Sequence, residues 1–590
     1  AIDSADGARA ALALGASLLV LAALRTAAAF DPSMNWWGMN ALRFAAPWFG
    51  WAPWLLVGAA LFPLVARAAE PRLAGFGDAL ARNAFGARAG FAMLAAGLVL
   101  VFPDRVWLIG DFLLRLGCTR GQIPVSMVFP QALPLDLFLH HHVPVALASS
   151  GLTDPNLWER GLGAIEAGAL AFASASVARR LGLRGVAAAA TAGLIVFSGV
   201  LGMFTGYGKA FVELTLATVA TAAFALRVVQ EGRGAWALAA TVAVALTLHR
   251  SALALLVPLV VTAVLWWRSH GSRSAKGRAA TLAAFASPLV VALAFSPLIL
   301  AAMKVTDLRH LAPQGRGGGA ILAAAFAPAH LRDVVNLVAM GAPFALAAPV
   351  LALVLARPLG TRAREGLVIA SFVAPALAVL LFVHPRQGLF RDVDVFAPSL
   401  AALAVAGAAL AGEALRGAGT RAWLAVPVLA FALLSMVQSL SLAADVTRGL
   451  ERVRAYLAGP PRRVDEERAL MWTYLAERHV ALGNHDQAVA AFEQAVELAP
   501  SPRILTELAL AELDRRNYAG AQRAYARAVE RAPTYTEGWL GLADASIGTR
   551  DWIGARRALA TAAALEPGRP EIEMIARALA KAEAGAAVPR

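Results

Sequence analysis

Thirteen apolar runs confine this chain to a membrane more firmly than any motif in it, because a helix of roughly 17–25 apolar residues is what a bilayer requires. They lie near 9–30, 48–66, 89–103, 160–178, 185–204, 209–226, 234–249, 251–267, 279–302, 341–356, 366–383, 395–412 and 422–442. A soluble protein carries about a quarter charged residues, whereas this one has 16% charged and 59% hydrophobic. The sequence therefore predicts an all-α, polytopic transmembrane bundle. Arg9 to Phe30 is read as a retained first span, since the segment before it is acidic and not basic.

Basic residues then fix an orientation. Every second loop is rich in arginine: Arg67, Arg72, Arg82 and Arg88; Arg179, Arg180 and Arg184; Arg227 and Arg233; and again after the spans at 251–267, 341–356 and 395–412. Positive loops stay on the cytoplasmic side, which puts the N-terminus inside and the C-terminus outside. The formal net charge of +14 belongs to these loops, because the residues from Gly459 onward hold 17 Lys and Arg against 18 Asp and Glu. The basicity is therefore no sign of nucleic-acid binding. Alanine- and arginine-rich, lysine-poor usage looks like a high-GC bacterial translation, and the expected location is the bacterial inner membrane. Cys118 is the only cysteine, so neither an intrachain disulfide nor a cysteine metal site can form.

The opposite, external side collects acids: Asp31, Asp104, Asp111, Asp136, Asp154, Asp307, Asp333, Asp392 and Asp394. The longest loop of the membrane half, 104–158, opens with F-P-D-R-V-W-L-I-G-D-F-L-L-R, where Asp104, Asp111, Arg105 and Arg115 follow the end of a span. A carboxylate there can take a proton from a hydroxyl, and arginines can hold phosphate oxygens. Further along that loop, Leu133–Leu147 reads as an interfacial helix. Its histidines at 140–142 diverge by about 100° per residue, so they are read as a polar face and not as a metal site. Three other external turns carry ionisable groups at span ends: Lys209 with Glu213, His249 with Arg250, and H-P-R-Q-G-L-F-R-D-V-D-V-F with Arg391, Asp392 and Asp394. Such groups are costly at membrane depth unless paired or facing a polar cavity. Four sites on one side predict a shared cavity.

After about Ala443 the composition changes and a repeat begins. Pro500, Pro533 and Pro567 are spaced 33 and 34 residues apart. In register with them stand Trp472, Leu505 and Trp539; Leu475, Leu508 and Leu542; Ala488, Ala521 and Ala555; Phe492, Tyr525 and Leu559; and Ala495, Ala528 and Ala562. Small and large residues alternating at this period are the tetratricopeptide pattern of stacked helix pairs. The expected organisation is a membrane domain over 1–445, a linker over 446–465, and about three repeats with a capping helix over 466–590.

The acidic external loop, the G-Y-G-K turn followed by Glu213, the H-R-S turn and the G-L-F-R-D-V-D-V-F loop together resemble the bacterial polytopic glycosyltransferases of the GT-C fold. Some of those carry C-terminal tetratricopeptide repeats. The arrangement is also similar to the eukaryotic transmembrane and TPR-containing O-mannosyltransferases. The resemblance implies a polyprenyl-phosphate-linked sugar as donor and an external-loop carboxylate as base. That role falls on Asp111 or Asp104, although three spans precede the loop here where the common layout has one.

Chemistry at the residues runs parallel to this. Departure of a lipid phosphate is helped by cations, for which Lys209, Arg250, Arg391 and Arg115 are the candidates, with Glu213, His249, Asp392 and Asp394 supporting them. Asp111 is favoured as base over Asp104, because Gly110 permits close approach and Arg115 lies one helical turn on. Asp104, after Pro103, suits a cap. No organic cofactor is implied, and the need for a divalent metal is left open. The repeats would recruit a protein or peptide. Alternatives are a glycan ligase or polymerase with a diphosphate-linked donor, relying on Arg and His, and a membrane-anchored repeat scaffold without catalysis.

Overall fold

The computed structural model describes residues 4–121, 125, 129–151, 155–270, 274–305, 310–311, 318–355 and 362–587. Asp154 and Asp307 lie outside them. Among the described residues every regular element is helical. The chain divides into two compact units, 1–461 and 462–590.

In the first unit, Val393–Arg416 is the most enclosed of the long apolar helices. It packs against Gly185–Val196, Phe211–Glu231 and Ala363–Phe382. Pro155–Arg180 packs in turn on Phe85–Val101 and Phe211–Glu231. Small residues let these backbones approach, as is usual for helices packed in lipid. At Gly412 a β-carbon would stand 2.1 Å from Thr191 Oγ1, a separation no side chain could occupy.

Eight helices among the described residues are long and apolar enough to cross a membrane, or up to ten if two bent pairs each count as one. Thirteen were expected, and the shortfall has local causes. The run at 48–66 stops at Ala60; the chain restarts at Pro63 and turns by 89° into Pro63–Ala81. Proline disfavours helical geometry in the residue before it, and Phe62 is accordingly extended (φ −76°, ψ 122°). The run at 279–302 is split into Ala275–Ala294 and Ser296–Val305. The run at 341–356 is broken at its prolines into a short turn, Pro343–Ala345, and a seven-residue helix, Ala348–Val354. The preceding stretch, read as external loop, instead holds Gly318–Ala325 and Pro328–Gly341. Phe85–Val101, Gly185–Val196 and Ala235–Leu248 are apolar but shorter.

The segment expected as a linker is also helical over Val446–Ala458. Leu450, Val453, Tyr456 and Leu457 are buried along one face, with the N-terminus capped by the Asp445 side chain accepting from the Arg448 amide. Its apolar residues recur at helical spacing, which sequence reading had passed over among its charges.

The second unit is three antiparallel helix pairs and a last helix: Asp465–Ala481 with His485–Leu498, Pro502–Asp514 with Tyr518–Arg531, Thr536–Gly548 with Trp552–Leu565, then Pro570–Ala587. Ser501, Asn517 and Asp551 cap helix starts through their side chains. Ala488, Ala521, Ala555, Ala495, Ala528 and Ala562 are fully buried where paired helices meet. Pro500, Pro533 and Pro567 each follow a helix end by two residues.

Candidate functional site

Four separate stretches converge on one cavity of about 290 Å³, lined among others by Asp111, Arg115, Lys209, His249, Arg250 and Asp392. Asp111 immediately precedes Phe112–Thr119 without capping it, so its carboxylate is free to turn toward the cavity. Lys209 Nζ stands 3.0 Å from Asp111 Oδ2 and 3.4 Å from Asp394 Oδ2. Gln387 Nε2 donates to Asp111 Oδ1 at 3.3 Å. Burial would raise the Asp111 carboxyl, but the Lys209 charge and hydrogen bond, with help from Arg391 and Gln387, hold it at about 2. Lys209 is held in its charged form, burial notwithstanding, by the charges of Asp111 and Asp394.

The 388–392 turn and the start of Val393–Arg416 pack beside this cavity. Arg391 is buried and donates to the Gly110 carbonyl at 3.3 Å, while the Gly110 amide donates to the Arg391 carbonyl at 3.0 Å. Tyr207 donates its hydroxyl to Asp394. Gly110 has φ +53°, and a β-carbon there would lie 2.5 Å from Asp394 Oδ2 and 2.7 Å from Tyr207 Oη. The close approach expected of Gly110 is thus to these two side chains. Burial and the negative charges of Asp394 and Asp111 push the Asp392 carboxyl well above the carboxylate range. The cavity therefore sets two carboxyls apart, Asp111 shifted toward its ionised form and Asp392 toward its protonated form.

Around the rim, His249 packs on Phe211 with ring centroids 4.7 Å apart, and Arg250 Nη1 lies 3.1 Å from His249 Nε2. Burial and the charges of Arg250, Lys209 and Arg115 keep that imidazole neutral. Arg115, expected to pair with Asp111 or a phosphate, reaches Asp136 at 2.5 Å and lies over the Phe129 ring at 4.2 Å. Asp136 also accepts from the Ala210 amide, tying the Lys209 turn to the loop helix.

Two expected residues lie elsewhere. Asp104 Oδ1 accepts from the Val106 and Trp107 amides, both at 2.9 Å, stabilising a turn in which Trp107 takes φ +57°. Asp104 lines a different, mainly apolar cavity. Glu213 faces away from Lys209 and toward His140, whose Nε2 is 2.9 Å from Glu213 and whose Nδ1 is 2.9 Å from Glu159. Burial opposes the charge on His140, yet Glu213 and Glu159 raise it well above the usual imidazole range. The 138–142 segment forms a π-turn that presents only His140 to the interior. Among the described residues no group of three His, Cys, Asp or Glu is arranged to hold a metal ion.

Sequence reading missed Gln387, Tyr207, Asp136 and the His140 clamp. The first two sat inside quoted motifs, Q-G-L-F-R-D and G-Y-G-K, where their polar side chains beside charged neighbours were the available signal.

A narrow apolar groove adjoins the cavity and shares Ser251, Val379 and Val395 with it. Its walls include Leu214, Leu255, Phe372 and Ala402. A polar chamber opening onto an apolar slot between helices can take an amphiphile whose charged end lies at Lys209 and Arg250.

Comparison with known proteins bears on the second unit. Two family models, each described as tetratricopeptide repeat, match residues 473–536 and 512–581. The C-terminal unit is a tetratricopeptide-repeat domain. The matches span its first through last helix pairs, and the tetratricopeptide domain contains the buried alanines and aromatic positions named above. No curated protein matches the chain significantly.

Proposed function

We propose that the membrane unit is a glycosyltransferase of GT-C type that moves a sugar from a polyprenyl-phosphate donor to a hydroxyl acceptor at the external face. The observation that carries this reading is the meeting of Asp111, Lys209, Arg250 and Asp392 in one cavity continuous with an apolar groove. The isoprenoid tail occupies the groove, and the phosphate sits against Lys209 and Arg250.

While Lys209 is paired with Asp111 the carboxylate is a weak base. A phosphate that draws Lys209 toward itself releases the carboxylate and, by its own negative charge, raises the carboxylate's proton affinity. Asp111 then takes the acceptor's proton as the acceptor oxygen attacks the anomeric carbon. The anomeric C–O bond to phosphate breaks, and polyprenyl phosphate leaves with the electron pair, stabilised by the two cations. Arg391 holds the loop that positions Asp111, and Asp392 supplies a neutral hydrogen-bond donor beside the sugar. A divalent ion bound to the phosphate would aid its departure.

The repeats recruit a protein or peptide that bears or accompanies the acceptor. The arginine-rich loops support a bacterial inner-membrane location with the N-terminus cytoplasmic and the tetratricopeptide domain external.

The adjoining Arg250–His249 pair favours one alternative, a ligase or polymerase with a diphosphate-linked donor. One experiment separates the two: sugar transfer from a radiolabelled polyprenyl donor by membranes carrying Asp111→Asn or Asp104→Asn at equal protein level. Loss of a general base lowers the rate about a hundredfold to ten-thousandfold, and this is expected for Asp111→Asn, with Asp104→Asn transferring at near the normal rate per folded molecule. Normal transfer by both variants, with loss in Arg250→Gln, would give the site to the alternative chemistry.

A further inference from the structure

A long groove of the membrane unit takes no part in the reaction above. It measures about 710 Å³ and runs between Pro155–Arg180, Phe211–Glu231 and Ala235–Leu248, within the roughly 300–1,000 Å³ of a small-molecule pocket. Alanines, with Phe172, Leu216, Phe224, Val244 and Leu248, make most of its walls.

Its polar end is made by Arg88, Arg179, Arg180 and Arg227. This end is remote from the proposed reaction site. Arg227 lies 18 residues beyond Lys209, mostly along one helix, or roughly 27 Å at 1.5 Å per residue. Glu231 pairs with Arg180 and, at 3.2 Å, with Arg227. Arg88 is only 7% exposed and donates once, to Ser176 Oγ at 3.3 Å. The Nε and Nη2 of Arg88, and the Nε of Arg179, are buried with no hydrogen-bond partner among the described residues. A guanidinium that merely satisfied a topological charge bias would extend outward to water and headgroups; Arg88 lines the groove instead.

Buried N–H donors lacking acceptors are costly, and phosphate oxygens match a guanidinium fork. Basic pockets between spans on the cytoplasmic side are a recurrent lipid-headgroup chemistry. We propose that this groove is a binding site for an anionic membrane phospholipid, its phosphate on Arg88 and Arg179 and an acyl chain along the alanine-lined wall. The site is separate from the donor cavity, sharing none of that cavity's lining residues. It stands whether or not the chain transfers sugar.

The test uses the full chain purified in detergent, delipidated, and mixed with phosphatidylglycerol, phosphatidylcholine or inorganic phosphate. Lipid retention is read by native mass spectrometry and stability by thermal unfolding. Phosphatidylglycerol is expected to be retained and to raise the unfolding temperature, and the other two are not. Arg88→Gln with Arg179→Gln should weaken retention by at least roughly tenfold, since one charge-assisted hydrogen bond is worth about 1.5–3 kcal/mol. Ala240→Trp fills the groove from an exposed wall position and leaves the arginines in place; it should abolish retention while the helical content is unchanged, so the proposal remains testable if the double variant does not fold. Equal effects of phosphatidylcholine would make the groove a nonspecific lipid surface. An equal effect of inorganic phosphate would make it a free-anion site. Retention by Ala240→Trp would remove the groove from binding. Any of these overturns the proposal.

Discussion

Replacing Lys209 by methionine isolates the electrostatics of the proposed reaction centre. Methionine keeps most of the stem and removes the charge that reaches both Asp111 and Asp394. Holding the Asp111 carboxyl at about 2 in place of its ordinary 3.8 corresponds to roughly 2 kcal/mol of preference for the ionised form. Breaking a buried pair by removing one partner costs about 3–5 kcal/mol. Lys209 and Asp111 keep 15% and 25% side-chain exposure, and Asp394 retains Tyr207, so the lower figure is the better guide. Lys209→Met should therefore lose about 2–3 kcal/mol of stability at pH 7.

The sign with pH follows from the depressed carboxyl. The stabilisation is fully present above the unfolded value near 3.8 and is lost as pH falls toward 2. In the variant, Asp111 protonates at a higher pH, so the difference from the parent narrows on acidification from neutrality. The assay is reversible unfolding in detergent across pH 4–8, with Asp111→Asn and the double variant completing a cycle. A coupling below about 0.5 kcal/mol, within the additivity expected of independent sites, would refute the pairing.

Two further outcomes follow. His140 lies between Glu159 and Glu213 with its proton affinity raised, so its contribution to stability is whole below the free-imidazole range and disappears as pH rises through the folded value. His140→Gln should cost about 3–5 kcal/mol and erase the alkaline part of the parent's stability profile, read by unfolding between pH 6 and 10; an unchanged profile would mean that the clamp is not charged. In the tetratricopeptide domain a β-carbon on Gly541 would meet the Tyr525 ring at 2.2 Å, so Gly541→Ala should destabilise a purified 462–590 fragment by about 1–3 kcal/mol, measured by circular dichroism in denaturant.

What could be read in the sequence differs between the two units for physical reasons. The repeats were legible because the same packing problem is solved three times, leaving Ala488, Ala521 and Ala555 in register. The cavity was legible in outline because Asp111, Lys209, Arg250 and Asp392 sit at helix ends where charge is expensive unless shared. Its wiring was not. Arg115 chose Asp136, and His140 chose Glu159 and Glu213, through a π-turn that hydropathy does not encode. The helix breaks beside Pro63, Pro297 and Pro343 were written in the prolines but masked by unbroken apolar composition around them.

The enclosed helix Val393–Arg416 has a consequence for loss-of-function genetics. It begins beside the Asp111–Lys209 cavity at Asp394 and, about 27 Å along at 1.5 Å per residue, places Gly412 against Thr191 with no room for even a methyl group. A side chain at position 412 must displace Thr191 or shift the helix, and part of that shift is carried along its axis toward Asp394. An inactivating screen will therefore recover substitutions at Gly412 alongside those at Asp394, and their phenotypes will look alike. Protein abundance will tell them apart only if the shift also unseats the bundle; where it does not, a lesion remote from any reacting atom will pass for a catalytic one.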